Sequence, residues 1–329
     1  MSSHHHNPRS LLNPATRTLI DRVERAGRPP MHAMTAVQAR AFYDIGGPIL
    51  DLQPAPHVDQ VQDLTIPARD GHAMPARLYA PQSDAALPVL LYLHGGGFTV
   101  GSLTTHDVLC RQLSRHGHCA VVSLDYRLAP EHPFPAAIDD AHIAFEWAVE
   151  QADLLEVDPS RIALGGDSAG GNLSIVTALA LRAAAVQPRF LMLVYPSTEI
   201  RSERASRERY AEGFFLDRGT LQWFFERYLP AGNTEDWRAS PMRAASLAGL
   251  PPMLVIGAEF DPLVDDCEAF AARVAAEGGD VTCHVFPGVV HGFFTLGKVF
   301  PEANQAVALC ARELRRHLRG ETDAGDQGA

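Results

Sequence analysis

Basic residues, long apolar runs and paired cysteines are all scarce in this 329-residue sequence. Its 28 Lys and Arg are outnumbered by 39 Asp and Glu, a formal net charge of −11. A general nucleic-acid binder needs a basic face to meet phosphates, so no nucleic-acid partner is expected. The same excess disfavours stable anchoring to an anionic membrane. No stretch approaches the roughly eighteen consecutive apolar residues of a membrane span. The opening residues, Met1-Ser2-Ser3-His4-His5-His6-Asn7-Pro8, lack the apolar core and cleavage site of a signal peptide. Their three histidines read as a solvated tail, with a metal-binding tract or a tag remnant as alternatives. Cysteines stand only at 110, 119, 267, 283 and 310. An odd count without any CxxC spacing argues against a disulfide framework or a zinc site. Reduced, mostly buried thiols in a cytoplasm fit better. Repeats and low-complexity segments are also missing.

What is present is ordinary for a globular chain: 46% hydrophobic and 20% charged residues. The length suggests two units, or one large α/β domain with an appendage. Asn13-Pro14 reads as a helix N-cap followed by Pro at the first helical position. Thr35 to Gln38 is a capping box that opens a second helix, expected to stop at Gly46-Gly47. Residues 48–56 read as a linker. Segments 61–67 and 73–79 flank the hairpin signal Asp70-Gly71. Continuous apolar runs follow at 89–93, 119–124, 161–164, 190–195, 253–257 and 281–286. Such runs suit strands buried on both faces of a parallel sheet. Helix-like segments lie between and after them, near 106–116, 136–151, 169–186, 263–277 and 302–318. An antiparallel start followed by β–α alternation predicts one α/β sheet with helices on both faces.

One connection is anomalous. Over fifty residues separate Pro196 from Pro251, charged at 201–209 and then rich in aromatics from Tyr210 to Tyr228. A connection this long within a compact domain is usually functional, and it reads as an insertion over the carboxyl edge of the sheet. The plainer reading is two helices packed on the core.

Gly166-Asp167-Ser168-Ala169-Gly170 matches G-x-S-x-G. Composition alone supplies that pattern roughly once in ten chains like this, so its context decides. A strand precedes it and an Ala/Leu-rich helix follows, which is the strand–turn–helix of a nucleophile elbow. The competing reading is a serine N-cap after a glycine turn. His94-Gly95-Gly96-Gly97-Phe98 follows the 89–93 strand, and its glycines free backbone N–H groups to stabilise an oxyanion. A phosphate loop is the rival, but no lysine follows the glycines and no GxGxxG spacing is present. His94 itself is expected to brace the loop. A serine nucleophile needs a base, and the base needs an orienting carboxylate. Asp261 follows the 253–257 strand and His291 the 281–286 strand, so both fall at strand carboxyl ends, where such sheets build their sites. Asp265 and Asp266 are rivals for the acid, but lie inside the next helix.

Taken together, HGGGF at 94–98, YRLAPEHPFPAA at 126–137, GDSAGGNL at 166–173, DPLVDD at 261–266 and HGF at 291–293 resemble the bacterial hormone-sensitive-lipase-like carboxylesterase family of the α/β-hydrolase superfamily. The similarity runs from about residue 60 to 318. The resemblance implies an α/β-hydrolase fold: a mostly parallel eight-stranded sheet, helices on both faces, and a helical cap. The cap is expected at 1–50 and 198–240, the catalytic domain at 51–197 and 241–319, and a disordered tail at 320–329. Also implied is hydrolysis of short- to medium-chain esters through an acyl-enzyme, without cofactor or metal. Ser168 carries over as nucleophile, His291 as base and Asp261 as its partner; the N–H groups of Gly96, Gly97 and Ala169 form the oxyanion hole. Phe98, Asp167, Phe214 and Phe215 are expected to line the substrate pocket. One departure from the family pattern is Asp266, where Glu is common, in a structural role. The expected partner is a small-molecule ester; a homodimer is admitted but not required. An acyltransferase, amidase or lactonase could share the triad. A non-catalytic receptor on the same scaffold would lack the histidine that His291 supplies.

Overall fold

Burial on both faces explains the central strands. Every residue of β3 (Leu87–Leu93), β4 (Ala120–Leu124) and β6 (Phe190–Val194) is buried, as expected of strands covered by helices on both sides. With β1 (Gln60–Pro67), β2 (Ala73–Ala80), β5 (Val157–Asp167), β7 (Met253–Phe260) and β8 (Val281–Val290) they form one eight-stranded sheet, in the order β1-β2-β4-β3-β5-β6-β7-β8. The pairs β1–β2 and β2–β4 are antiparallel, and all others are parallel. The computed structural model describes residues 8–321. The histidine tract at 4–6 and most of the expected tail lie outside them. Of that tail, Gly320 caps the last helix with a left-handed φ of 71° and Glu321 pairs with Arg315 and Arg319.

Five helices cover the sheet: α3 (Asp107–Gly117), α4 (Ala136–Glu150), α5 (Ala169–Ala180), α8 (Val264–Ala276) and α9 (Pro301–Arg319). Four more, α1 (Pro14–Arg25), α2 (Ala36–Leu50), α6 (Ala205–Arg209) and α7 (Arg218–Tyr228), come from the two segments set apart in the sequence. Both N-terminal caps form as expected. Asn13 accepts from the Thr16 N–H at 2.7 Å, and Thr35 and Gln38 close a capping box. Two ends differ. Helix α2 does not stop at Gly46-Gly47 but runs through Pro48 to Leu50. Leu50 packs against the main core and Asp51 is buried; packing there outweighs the roughly 1 kcal/mol per glycine. Helix α5 ends at Ala180 instead of reaching 186, closed by a single 3₁₀ turn.

The segment after β6 packs on α2. Trp223 and Phe224 of α7 share a buried cluster with Ala39 and Val100, and the Trp223 indole donates to the Met34 carbonyl at 3.2 Å. The Phe224 ring lies directly against Gly97, so α7 covers the glycine loop. Among the described residues no helix is long and apolar enough to cross a membrane, and no group of three or more His, Cys, Asp or Glu could hold a metal ion.

Candidate active site

Strand register brings the chemistry-bearing residues together. Leu93 pairs with Gly166, so the HGGG loop leaves β3 beside the elbow. Asp167 pairs with Val194, so Ser168 and Tyr195 leave the sheet as neighbours. Phe260 pairs with Val290, so Asp261 and His291 do the same. Both β7 and β8 extend beyond their apolar runs to reach these positions.

At the elbow Ser168 has φ 54° and ψ −113°, a strained conformation for a residue with a side chain. Its backbone is tied down on both sides. The Ser168 N–H donates to Val194 O at 2.8 Å, and Ser168 O accepts from Asn172 N and Ser197 N, each at 3.1 Å. Gly170 has no room for a side chain, because a Cβ would run into the Leu93 carbonyl. The hydroxyl is thereby held at the sheet edge, partly exposed at the N-terminus of α5.

His291 bridges the other two groups. Its Nε2 lies 3.0 Å from Ser168 Oγ, and its Nδ1 lies 2.7 Å from Asp261 Oδ2. Asp261 is fully buried, and its second oxygen accepts from the Leu263 N–H at 2.8 Å. A carboxylate so held favours Nδ1–H on the imidazole and leaves Nε2 free to accept a proton from serine. The rivals are elsewhere. Asp265 accepts from Ser206 N at 2.8 Å, in the first turn of α6. Asp266 is buried between Ser202, Arg204 and Arg207.

No acceptor among the described residues meets the N–H groups of Gly96, Gly97 or Ala169. Buried or half-buried amides without partners are rare, and donors left free beside a serine hydroxyl suit an oxyanion. His94 braces the loop as expected. Its Nδ1 lies 2.7 Å from Gly95 O, its ring stacks on Tyr126 at 4.3 Å, and burial, with His106 adding to it, pushes its pKa down to about 3. Tyr126, from the YRLAPEHPFPAA stretch, donates to His94 O at 2.8 Å, which puts that stretch behind the loop.

Three of the residues expected to line the pocket have close partners of their own. Phe98 is buried and stacks flat on Tyr228, with ring centroids 3.7 Å apart. Phe214 is buried with Leu12, Ile20, Phe260 and Val290. Asp167 is turned inward, accepting from Tyr92 and the Gly95 N–H. In each case closer packing partners claim the side chain. Phe215 alone stays open, 40% exposed at φ 69°. Tyr195 escaped the sequence reading. It is fully buried at φ 34°, and its ring lies 4.4 Å from that of His291. Its place at the carboxyl end of a buried run was the available signal.

The profile of the alpha/beta hydrolase fold family matches residues 90–295. An ethyl acetate hydrolase of Pseudomonas putida is 40% identical over 319 residues, covering 93% of this chain and 99% of that protein. The chain belongs to the hormone-sensitive-lipase-like carboxylesterases of the α/β-hydrolase fold. A carboxylic ester hydrolase of Mycobacterium tuberculosis, LipN, is 41% identical across 82% of this chain and 74% of its own length. Among solved structures, an α/β-hydrolase enzyme from the metagenome of Lake Arreo superposes with a TM-score of 0.91 at 38% identity, covering 95% of this chain and all of that one. A hyperthermophilic esterase from the archaeon Pyrobaculum calidifontis gives 0.88 at 36% identity, covering 93% of this chain and 98% of that one.

Proposed function

We propose that this member of the family is a serine carboxylesterase acting on short- to medium-chain esters through an acyl-enzyme. The observation that carries the reading is the unbroken chain from Ser168 Oγ through His291 to Asp261 Oδ2, at 3.0 and 2.7 Å. Ser168 attacks the ester carbonyl while His291 takes its proton. Asp261 holds the tautomer and stabilises the imidazolium. The developing oxyanion is met by the amides of Gly96, Gly97 and Ala169. His291 then returns the proton to the leaving alcohol, and water hydrolyses the acyl-enzyme by the same steps.

Helices α1, α2, α6 and α7 act as the cap, and Phe215 is its contribution to the acyl pocket. A cytoplasmic setting is supported by five free cysteines, four of them buried. The alternatives with the same triad are not favoured, since the relatives named above are ester hydrolases, and the receptor reading conflicts with a histidine already bonded to serine. Ser168→Ala tests the proposal. It should abolish covalent labelling by a fluorophosphonate and lower kcat on p-nitrophenyl butyrate by several orders of magnitude. Labelling that persists at another serine would refute it.

A further inference from the structure

We infer that Asp167 is a positioning residue that locks the oxyanion loop to the nucleophile elbow, acting through the Gly95 amide; the inference rests on the esterase reading above. Asp167 immediately precedes Ser168 and is only 4% exposed. One oxygen, Oδ1, accepts from the Tyr92 hydroxyl at 2.7 Å and from the Gly95 N–H at 2.9 Å, and lies 3.2 Å from His106 Nε2. These three groups come from β3, from the glycine loop and from the start of α3. His106 is held in turn, its Nδ1 lying 2.8 Å from Thr105 Oγ1.

A buried carboxylate is costly unless donors surround it. Burial raises its pKa, but facing His106 and the Tyr92 hydroxyl pull it below the ordinary aspartate value. The loop is shaped around the carboxylate: a Cβ on Gly95 would collide with it. The consequence runs along the backbone. Asp167 fixes the peptide plane that carries the Gly95 N–H. His94 Nδ1 fixes the next plane at Gly95 O, and that plane carries the Gly96 N–H on its opposite edge. Two consecutive planes are thereby set, and the third, which carries the Gly97 N–H, is held at Gly96 O by Thr99 N at 3.0 Å and Val100 N at 2.9 Å, so the Gly96 and Gly97 amides are aimed before substrate arrives. Donors aimed in advance need no reorganisation in the transition state.

Asp167→Ser and Asp167→Asn test this. Serine is too short to reach Gly95, whereas the asparagine oxygen keeps that acceptor. Active sites are counted by fluorophosphonate labelling, and three quantities are read per site: kcat, KM, and inhibition by a trifluoromethyl ketone, whose serine adduct carries an oxyanion. For Asp167→Ser, kcat should fall about 10²-fold with KM within about twofold, and ketone affinity should fall in parallel. Asp167→Asn should recover at least tenfold of the loss. A wild-type kcat per labelled site in Asp167→Ser overturns the inference. So does a raised KM at unchanged kcat, which would make Asp167 a substrate contact, and so does an Asn variant as poor as Ser. Should Asp167→Ser fail to fold, Tyr92→Phe removes one donor and should lower kcat several-fold at constant KM; an unchanged kcat overturns the inference. If the wild type is not labelled at Ser168, the esterase reading falls; if it is labelled and the variants keep kcat, only this inference falls.

Discussion

Asparagine at position 261 would change one proton and little else. In the native site Oδ1 accepts from the Leu263 N–H at 2.8 Å and Oδ2 from His291 Nδ1 at 2.7 Å. The asparagine oxygen takes over the Leu263 bond, and its NH2 then faces Nδ1. The imidazole must accept there, so its own proton moves to Nε2, the nitrogen 3.0 Å from Ser168 Oγ. A protonated Nε2 cannot receive the serine proton. A tautomer error of this kind costs about 10⁴-fold in kcat, roughly 5.5 kcal/mol at 1.36 kcal/mol per tenfold. Volume is conserved, so the melting temperature should move little. Asp266→Asn should do the reverse. That carboxylate is unexposed and bonds Ser202 at 2.5 Å, Arg204 at 3.1 Å and Arg207 at 2.8 Å. Neutralising it leaves the Arg207 guanidinium without its carboxylate and Arg204 with only Glu199, 3.6 Å away, at about 3 kcal/mol and roughly 6 °C in Tm, with kcat per site intact. Turnover of p-nitrophenyl butyrate per labelled site and thermal melting of both variants decide the matter. A folded Asp266→Asn enzyme as inactive as Asp261→Asn would refute the assignment, as would an Asp261→Asn variant with a tenth of native activity.

The cap aromatics should separate in the same way. Phe215→Ala should shift the optimum of a p-nitrophenyl ester series from about four to eight carbons toward longer chains, each fitted methylene adding up to ~0.8 kcal/mol. Phe214→Ala should instead lose about 3 kcal/mol of stability and keep the native profile; a shifted profile in Phe214→Ala alone would reverse the two roles. Asp125 offers a test by pH. Burial, reinforced by Asp44, raises its pKa from 3.8 to about 6, so between those values the folded state binds the extra proton and stability falls as pH rises. With 34% of the side chain exposed, Asp125→Asn should gain about 1 kcal/mol at pH 8 and almost nothing at pH 4. Equal changes in Tm at both pH values would refute the reasoning.

The central strands β3 to β7 were legible because their burial is two-sided, and an uninterrupted apolar run has few other uses; β1 and β2 were legible from the hairpin signal between them. Ser168, Asp261 and His291 were legible for a related reason, since each follows such a run and comes in the expected chain order. What the sequence hid was direction. Nothing local tells whether Asp167 turns toward substrate or toward Tyr92, because the deciding donors stand over sixty residues away on other elements. Phe214 and Phe215 are adjacent and chemically identical, yet the left-handed backbone at Phe215 sends one ring into a cluster and leaves the other exposed. Helix α2 overran its glycines because the anchor at Leu50 lies beyond them, where propensity gives no hint.

Asn13 and Thr16 are sewn to the end of β8, which leads into His291. The Asn13 N–H donates to Gly288 O at 3.1 Å, Thr16 Oγ1 donates to the same oxygen at 2.8 Å, and Asn13 Nδ2 reaches Glu302 at 2.8 Å. These bonds join positions separated by most of the chain, and that sets an order in time. On the ribosome the oxyanion loop and the elbow emerge well before residue 288, so a nascent chain can hold a formed serine turn with no base to activate it. Proton-accepting power arrives only with His291, on a strand end that residues 13–16 hold at Gly288. Competence therefore appears late, and a chain cut between residues 198 and 290 should carry a serine turn with no base beside it.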